Sequence, residues 1–278
     1  MYFRKATISD TTVIKKLWKE VFGDSDDYIC CFITHFGIDN CYVCEIKHAV
    51  VAMAFALPTT LALGSSFIDQ DLKYVYACAT HPKFRVLGIM ENLLATIYKD
   101  ACHENIAGIF LHAANPSLAN YYRKLGFEDF FYCEHTFFNN RNKQLNNRMD
   151  VKKIEEYLSI TTITPEAYLK KRNQKLANSC YINWNKDFFQ FLSENGTQFC
   201  EYDTTLFSFS AGENKIVVNE ILGNASKEQI SCLLFEHFSE FETVQIRSMG
   251  NEICNGQMKK CHSFENQPNI GWFAFAME

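Results

Sequence analysis

Two stretches of the chain carry residue types and spacings that could do chemistry. The first is Tyr76-Ala-Cys-Ala-Thr-His-Pro-Lys-Phe-Arg-Val-Leu-Gly-Ile-Met-Glu91. It reads as a strand that runs into a turn, with the turn opening a helix around a glycine. Such a junction gathers unpaired backbone N–H groups at the positive end of a helix dipole. A phosphate or pyrophosphate fits there. Gly88 lets the backbone approach a ligand closely, and Arg85 adds a formal positive charge. On these grounds alone the same pattern also serves a purely structural turn. The second stretch is Asn115-Pro-Ser-Leu-Ala-Asn-Tyr-Tyr-Arg-Lys-Leu-Gly-Phe127, with Pro116 at a helix start and Gly126 at its stop. Tyr122 shares a face of that helix with Leu118 and Leu125, which is also the pattern of plain core packing. Asn115 fits a helix N-cap. His112, on the apolar strand just before, is either a base or a satisfied core residue.

The elements that must position these residues follow from periodicity. Tyr2–Ala6 reads as a strand, and Val13, Ile14, Leu17, Trp18, Val21 and Phe22 recur at helical spacing up to Gly23. A second helix runs from Ser25 to Phe36. Strands are expected at 41–47 and 49–57, ended by Pro58, and at 72–80, ended by Pro82. A helix from Gly88 to about Asn105, a buried strand at 108–113, the Asn115 helix and a strand-rich run at 127–138 complete a first half. Residues 139–150 are polar and read as a linker. Beyond them come helices near 164–176 and 183–194, strands near 198–202, 205–210 and 215–222, a helix from Ser226 to Phe238, and strands near 243–248 and 271–277. The second half thus repeats the element order of the first. The fold class is α/β with a mixed sheet, divided into domains 1–140 and 141–278.

The two chemical stretches together resemble the GNAT superfamily of acyl-CoA N-acyltransferases. Thr80-His-Pro-Lys-Phe-Arg85-Val-Leu-Gly88-Ile-Met90 is similar to the superfamily's cofactor motif. Asn115, Tyr122 and Lys124-Leu-Gly-Phe127 match its later motif. Met90 departs from the Gly or Ala of most members. A tandem subgroup in which a second, degenerate GNAT-like domain follows the first tolerates a large apolar residue there, and the chain resembles that subgroup, which includes enzymes similar to the enhanced-intracellular-survival acetyltransferases. The motif resemblance covers residues 1–138.

The resemblance implies a reaction and a role for each matched residue. Acetyl-CoA would be the co-substrate, and an amine of a small molecule or peptide the acceptor. Main-chain groups of Cys78, Ala79 and Thr80 would hold the pantetheine arm, with the Cys78 N–H polarising the thioester carbonyl. The amides of Val86, Leu87, Gly88, Ile89 and Met90, with Arg85, would hold the pyrophosphate, and Asn115 would touch the cofactor from the next helix. Tyr122 would act as general acid on the departing thiolate. As base, the resemblance offers the C-terminal carboxylate, here Glu278; His112 and water are alternatives. Between Leu222 and Ser226 there is no Arg-x-x-Gly-x-Gly equivalent, so the second copy should not bind CoA. Two other readings stay open: transfer of a longer acyl or aminoacyl group, and a non-catalytic CoA-binding module.

Composition narrows the partners. The 278 residues carry a net charge of −5, and 47% are hydrophobic. Both halves are net acidic, which speaks against nucleic acid. No apolar run reaches the ~18–20 residues of a membrane span, and the start lacks the apolar core of an export signal, so a cytoplasmic protein is expected. The 12 cysteines then read as reduced, buried thiols. Cys41 and Cys44 form one C-x-x-C, with Cys254, Cys261 and His262 as remote candidates, but a second C-x-x-C is lacking and no metal site is expected.

Overall fold

A computed structural model describes residues 1–65, 67–140, 160–263 and 271–277. The first half runs β1 (Tyr2–Lys5), α1 (Thr11–Phe22), α2 (Asp26–Phe36), β2 (Cys41–Ile46), β3 (Ala49–Ala62), β4 (Gln70–Thr80), α3 (Ile89–His103), β5 (Gly108–Leu111), α4 (Pro116–Lys124) and β6 (Glu128–Asn139). The second half runs β7 (Thr161–Thr162), α5 (Pro165–Lys175), β8 (Tyr181–Asn183), α6 (Lys186–Glu194), β9 (Gln198–Tyr202), β10 (Thr205–Ala211), β11 (Lys215–Leu222), α7 (Lys227–His237), β12 (Thr243–Met249) and β13 (Ile253–Lys260). The order of two helices, three antiparallel strands, a helix and a parallel strand occurs in both halves. The linker expected at 139–150 lies mostly outside the described residues.

One sheet of thirteen strands runs through both halves in the order β1-β2-β3-β4-β5-β13-β6-β12-β11-β10-β9-β7, with β8 added beside β3. The pairs β4–β5 and β11–β12 are parallel. At the centre the halves exchange strands. β13, from the second half, lies between β5 and β6; β6, from the first, lies between β13 and β12. The exchange is tight where β5 enters. An added Cβ on Gly108 would sit 2.8 Å from the Lys259 carbonyl oxygen. Gly108→Ala is therefore expected to lower stability by ~1–3 kcal/mol, the usual range for overpacking, in urea denaturation monitored by circular dichroism.

Helices α1 and α2 cover one face of the first half together with α5, α6 and the buried stretch Gly271–Met277. This shared core is aromatic: Trp18, Phe32, Phe55, Tyr74, Phe110, Phe131, Phe188, Phe191 and Phe273 all take part. Trp184 stacks on Phe188 at 3.9 Å. The opposite face is closed by α3 and α4 through Leu93, Leu94, Ile97 and Tyr122. Inside the second half, Arg172 and Glu220 are completely buried and paired at 2.8 Å. Trp272 Nε1 and the Tyr168 hydroxyl also donate to Glu220, at 2.7 and 3.1 Å. Thus a charged pair anchors the segment that leads to Met277.

Three expectations need correction. Pro58 does not end its strand, because β3 continues to Ala62 in register with β4. On its other side β3 leaves β2 after Phe55 and meets β8 only at Thr60, so a residue without N–H is tolerated between. β13 is a strand that polar Asn255, Gly256 and Gln257 hide from a periodicity reading. Conversely, 271–277 makes only isolated bridges, through Gly271 and Trp272, rather than a ladder.

Candidate active site

β4 and β5 stay paired only from Leu72 to Tyr74 against Gly108–Phe110. Beyond that they diverge. The divergence is reinforced by a bulge in β4: Met53 opposes Ala79 and Phe55 opposes Tyr76, which leaves one extra residue on β4. Ala77 takes up the irregularity at φ 52°. A bulge of this kind kinks a strand and frees a backbone group from the ladder. Between the parted strands lies a cavity of about 250 Å3, lined on the β4 side by Val75–Cys78 and on the β5 side by Leu111, His112 and Ala114. Trp18, Phe22 and Asp24 form its outer wall, and Tyr122, Leu118 and Met277 complete it.

Tyr122 reaches the cavity because α4 is set by its first residue. The Asn115 side chain accepts the Leu118 N–H at 2.9 Å, and Pro116 follows at the first helical position. The Tyr122 ring packs on Phe127 at 5.8 Å, and Tyr122 and Cys78 line the cavity together. Burial, then the neighbouring Cys78, pushes the phenol far above its ordinary range. Burial likewise pushes the Cys78 thiol up to about 12. Both groups therefore keep their protons near neutrality. Tyr121, next in line, is half-buried on the outer side.

His112 is half-buried and held by a main-chain partner. Its Nδ1 lies 2.7 Å from the Asn255 carbonyl, which only accepts, so Nδ1 carries the proton and Nε2 is the acceptor of the neutral ring. Asn255 also holds the C-terminal segment, since its Nδ2 donates to the Phe273 carbonyl at 2.6 Å. At the outer wall, Trp18 Nε1 donates to Asp24 Oδ2 at 2.7 Å. The Tyr28 and Tyr76 hydroxyls meet beside it at 3.1 Å, and burial raises Tyr28 to about 12. The sequence reading missed Asp24, Trp18 and Asn255. Asp24 follows the helix stop Gly23 and looks like a turn residue; only its position against Trp18 marks it.

Past the cavity, β4 ends at Thr80, whose carbonyl accepts from Arg85 Nε at 3.2 Å. The loop Arg85–Gly88 is exposed, with Val86 and Gly88 in the left-handed region at φ 61° and 69°. Gly88 stands at the N-cap of α3 and offers no side-chain cap. The first-turn amides of Ile89 and Met90 are thus left to an outside acceptor. The second half differs at the same point. There α7 begins with Ser226, whose Oγ takes the Gln229 N–H while Gln229 takes the Ser226 N–H. That helix start satisfies itself. The structure therefore gathers Cys78, His112 and Tyr122 in one cavity and sets Arg85–Met90 at the end of the same strand. Glu278 lies outside the described residues.

The mixed sheet thus splits between two parallel strands, one of them bulged and followed by an uncapped helix start. Residues 2–130 match the model of the acetyltransferase (GNAT) domain family. The fold likeness extends over nearly the whole chain. The GCN5-related N-acetyltransferase of Kribbella flavida superposes with a TM-score of 0.67 at 12% identity, over 93% of this chain and 69% of that one. The GCN5-related N-acetyltransferase of Anabaena variabilis gives 0.69 at 14%, over 93% and 71%. Eis1 of Mycobacterium abscessus gives 0.64 at 8%, over 94% and 74%. At such identities the likeness is one of fold. No curated protein matches the sequence. Among the described residues, no helix is long and apolar enough to cross a membrane.

Proposed function

We propose that the protein transfers an acetyl group from acetyl-CoA to a primary amine of a small molecule or peptide. The carrying observation is the cavity that Tyr122 and Cys78 line together beside the β4 bulge, with an uncapped helix start at the strand's end. In this reading the Arg85 charge and the amides of Val86–Met90 bind the pyrophosphate, and Cys78–Thr80 the pantetheine arm. The amine enters past Asp24, which attracts its ammonium form. His112 Nε2 takes one proton, and the neutral nitrogen attacks the thioester carbonyl. A β4 main-chain N–H at the bulge stabilises the developing oxyanion. As the C–S bond breaks, Tyr122 protonates the leaving thiolate, the nitrogen gives up its second proton to solvent, and the phenol and His112 return to their starting states by exchange with solvent.

The first test is calorimetric titration with acetyl-CoA, wild type against an Arg85→Glu, Gly88→Trp double variant, followed by turnover with a panel of amines. Binding by wild type alone, with turnover, supports the reading. Folded wild type that binds neither acetyl-CoA nor longer acyl-CoAs removes it. A second expectation concerns the acceptor end. Asp24→Asn should raise KM for a cationic amine ~10–100-fold, the equivalent of a hydrogen bond to a charged group. KM for acetyl-CoA should not change. Equal KM values for the amine would show that Asp24 serves only Trp18.

A further inference from the structure

The packing of α2 on α6 creates a cluster that neither half contains alone. Cys31 and His35 lie four residues apart, on one face of α2, and Glu194 ends α6. Their ligand atoms all fall within 4.8 Å of one another. Glu194 Oε2 is 2.8 Å from His35 Nε2 and 3.4 Å from Cys31 Sγ. We propose that Cys31, His35 and Glu194 form a zinc site that clamps the first half of the chain to the second.

Chemistry and surroundings both favour this ion. A thiolate, an imidazole and a carboxylate suit Zn2+, whereas Mg2+ and Ca2+ take oxygen ligands. Zinc bonds to S, N and O are about 2.0–2.3 Å, which spaces ligand pairs by roughly 3.3–3.7 Å in a tetrahedron. Closing the Cys31–His35 pair from at most 4.8 Å to that spacing takes side-chain shifts of about one ångström. Each anionic ligand is already oriented by a further donor: Gln190 Nε2 gives 2.9 Å to Glu194 Oε1, and Asn195 Nδ2 gives 3.4 Å to Cys31 Sγ. Such outer partners are a regular part of metal sites. His35 has only 14% of its side chain exposed and rests on Phe191 at 6.0 Å, while Glu194 is 45% exposed. The fourth position therefore faces water. Binding releases the Cys31 thiol proton to solvent, and the two anionic ligands neutralise the ion. The clamp bears on the cavity, because Tyr28 of α2 touches both Phe191 and the cavity residue Tyr76.

The test uses full-length protein freed of metal by a chelator, with Co2+ and then Zn2+ as probes. One Co2+ per chain should bind with a sulfur-to-cobalt charge-transfer band in the near ultraviolet, and Zn2+ should displace it and raise Tm. Cys31→Ser should abolish the band. Cys31→Ser and Glu194→Gln should each weaken Zn2+ by at least the ~10–100-fold that loss of an outer partner costs. Cys30→Ser, at the exposed neighbour held by Lys15, should behave as wild type. Folded wild type without the band overturns the proposal, as does a band that survives Cys31→Ser. The cobalt spectrum of wild type decides the matter even if a variant fails to fold.

Discussion

Replacing Tyr122 by Phe should lower kcat ~10²–10⁴-fold while the affinity for acetyl-CoA stays within about threefold. In free energy this is ~3–5 kcal/mol of transition-state stabilisation. The expectation rests on what the substitution keeps. A Phe ring retains the contact with Phe127 and the place in the α3–α4 core, so the fold and the proposed cofactor cleft survive. It removes the Tyr122 hydroxyl from the cavity that Cys78 also lines. The raised acidity range of Tyr122 adds a pH signature. Since burial holds the phenol well above its usual range, wild type should show no loss of rate through the ordinary tyrosine range near ~10 that Tyr122 could cause. Steady-state kinetics across pH, with calorimetry for acetyl-CoA, measure both. An unchanged kcat would reduce Tyr122 to a packing residue.

The largest effect on stability is expected at the buried pair of the second half. Arg172→Ala leaves the Glu220 carboxylate uncompensated at a site with no solvent access. Breaking a buried pair from one side costs ~3–5 kcal/mol. For a chain of this size that lowers Tm on the order of 10 °C. Arg172 also donates to the Ile182 carbonyl and faces the Tyr181 ring at 5.0 Å, so its loss loosens the segment packed beside it. The double change Arg172→Met, Glu220→Leu should cost less than either single truncation, because no charge is left alone. Thermal denaturation of the set checks this order. Since Glu220 accepts from Trp272 and Met277 at the end of the same segment lines the cavity, Arg172→Ala should also raise KM for the amine.

Much of this site is legible in the sequence because its parts are local. A helix start is written in consecutive residues, so Arg85–Met90 and Asn115–Phe127 show themselves. The helix spacing of Leu118, Tyr122 and Leu125 places Tyr122 on the inner face. The bulge is not legible: Tyr-Ala-Cys-Ala-Thr alternates like any half-buried strand, and the extra residue is defined only against β3. Asp24 and Asn255 are silent for a related reason. Each acts through a partner far along the chain, Asp24 on a cleft made by β4 and β5, Asn255 on His112 and Phe273. The same holds for β13, whose polar middle is buried because strands from the first half cover both of its edges. Cys31 and His35 have helical spacing, but nothing in that spacing points to Glu194.

The exchange of central strands also bears on how the chain is made. During synthesis β5 and β6 emerge well before β13, which fills the slot between them. At ~5–20 residues per second the delay is on the order of ten seconds. Throughout it the nascent first half presents the unpaired edges of β5 and β6, a state prone to pairing with other chains. A fragment stopped before Ile253 keeps those edges permanently, and the nearest filler is β13 of an intact neighbour. Such a fragment should therefore recruit full-length protein by strand swapping rather than persist as a free acyltransferase domain.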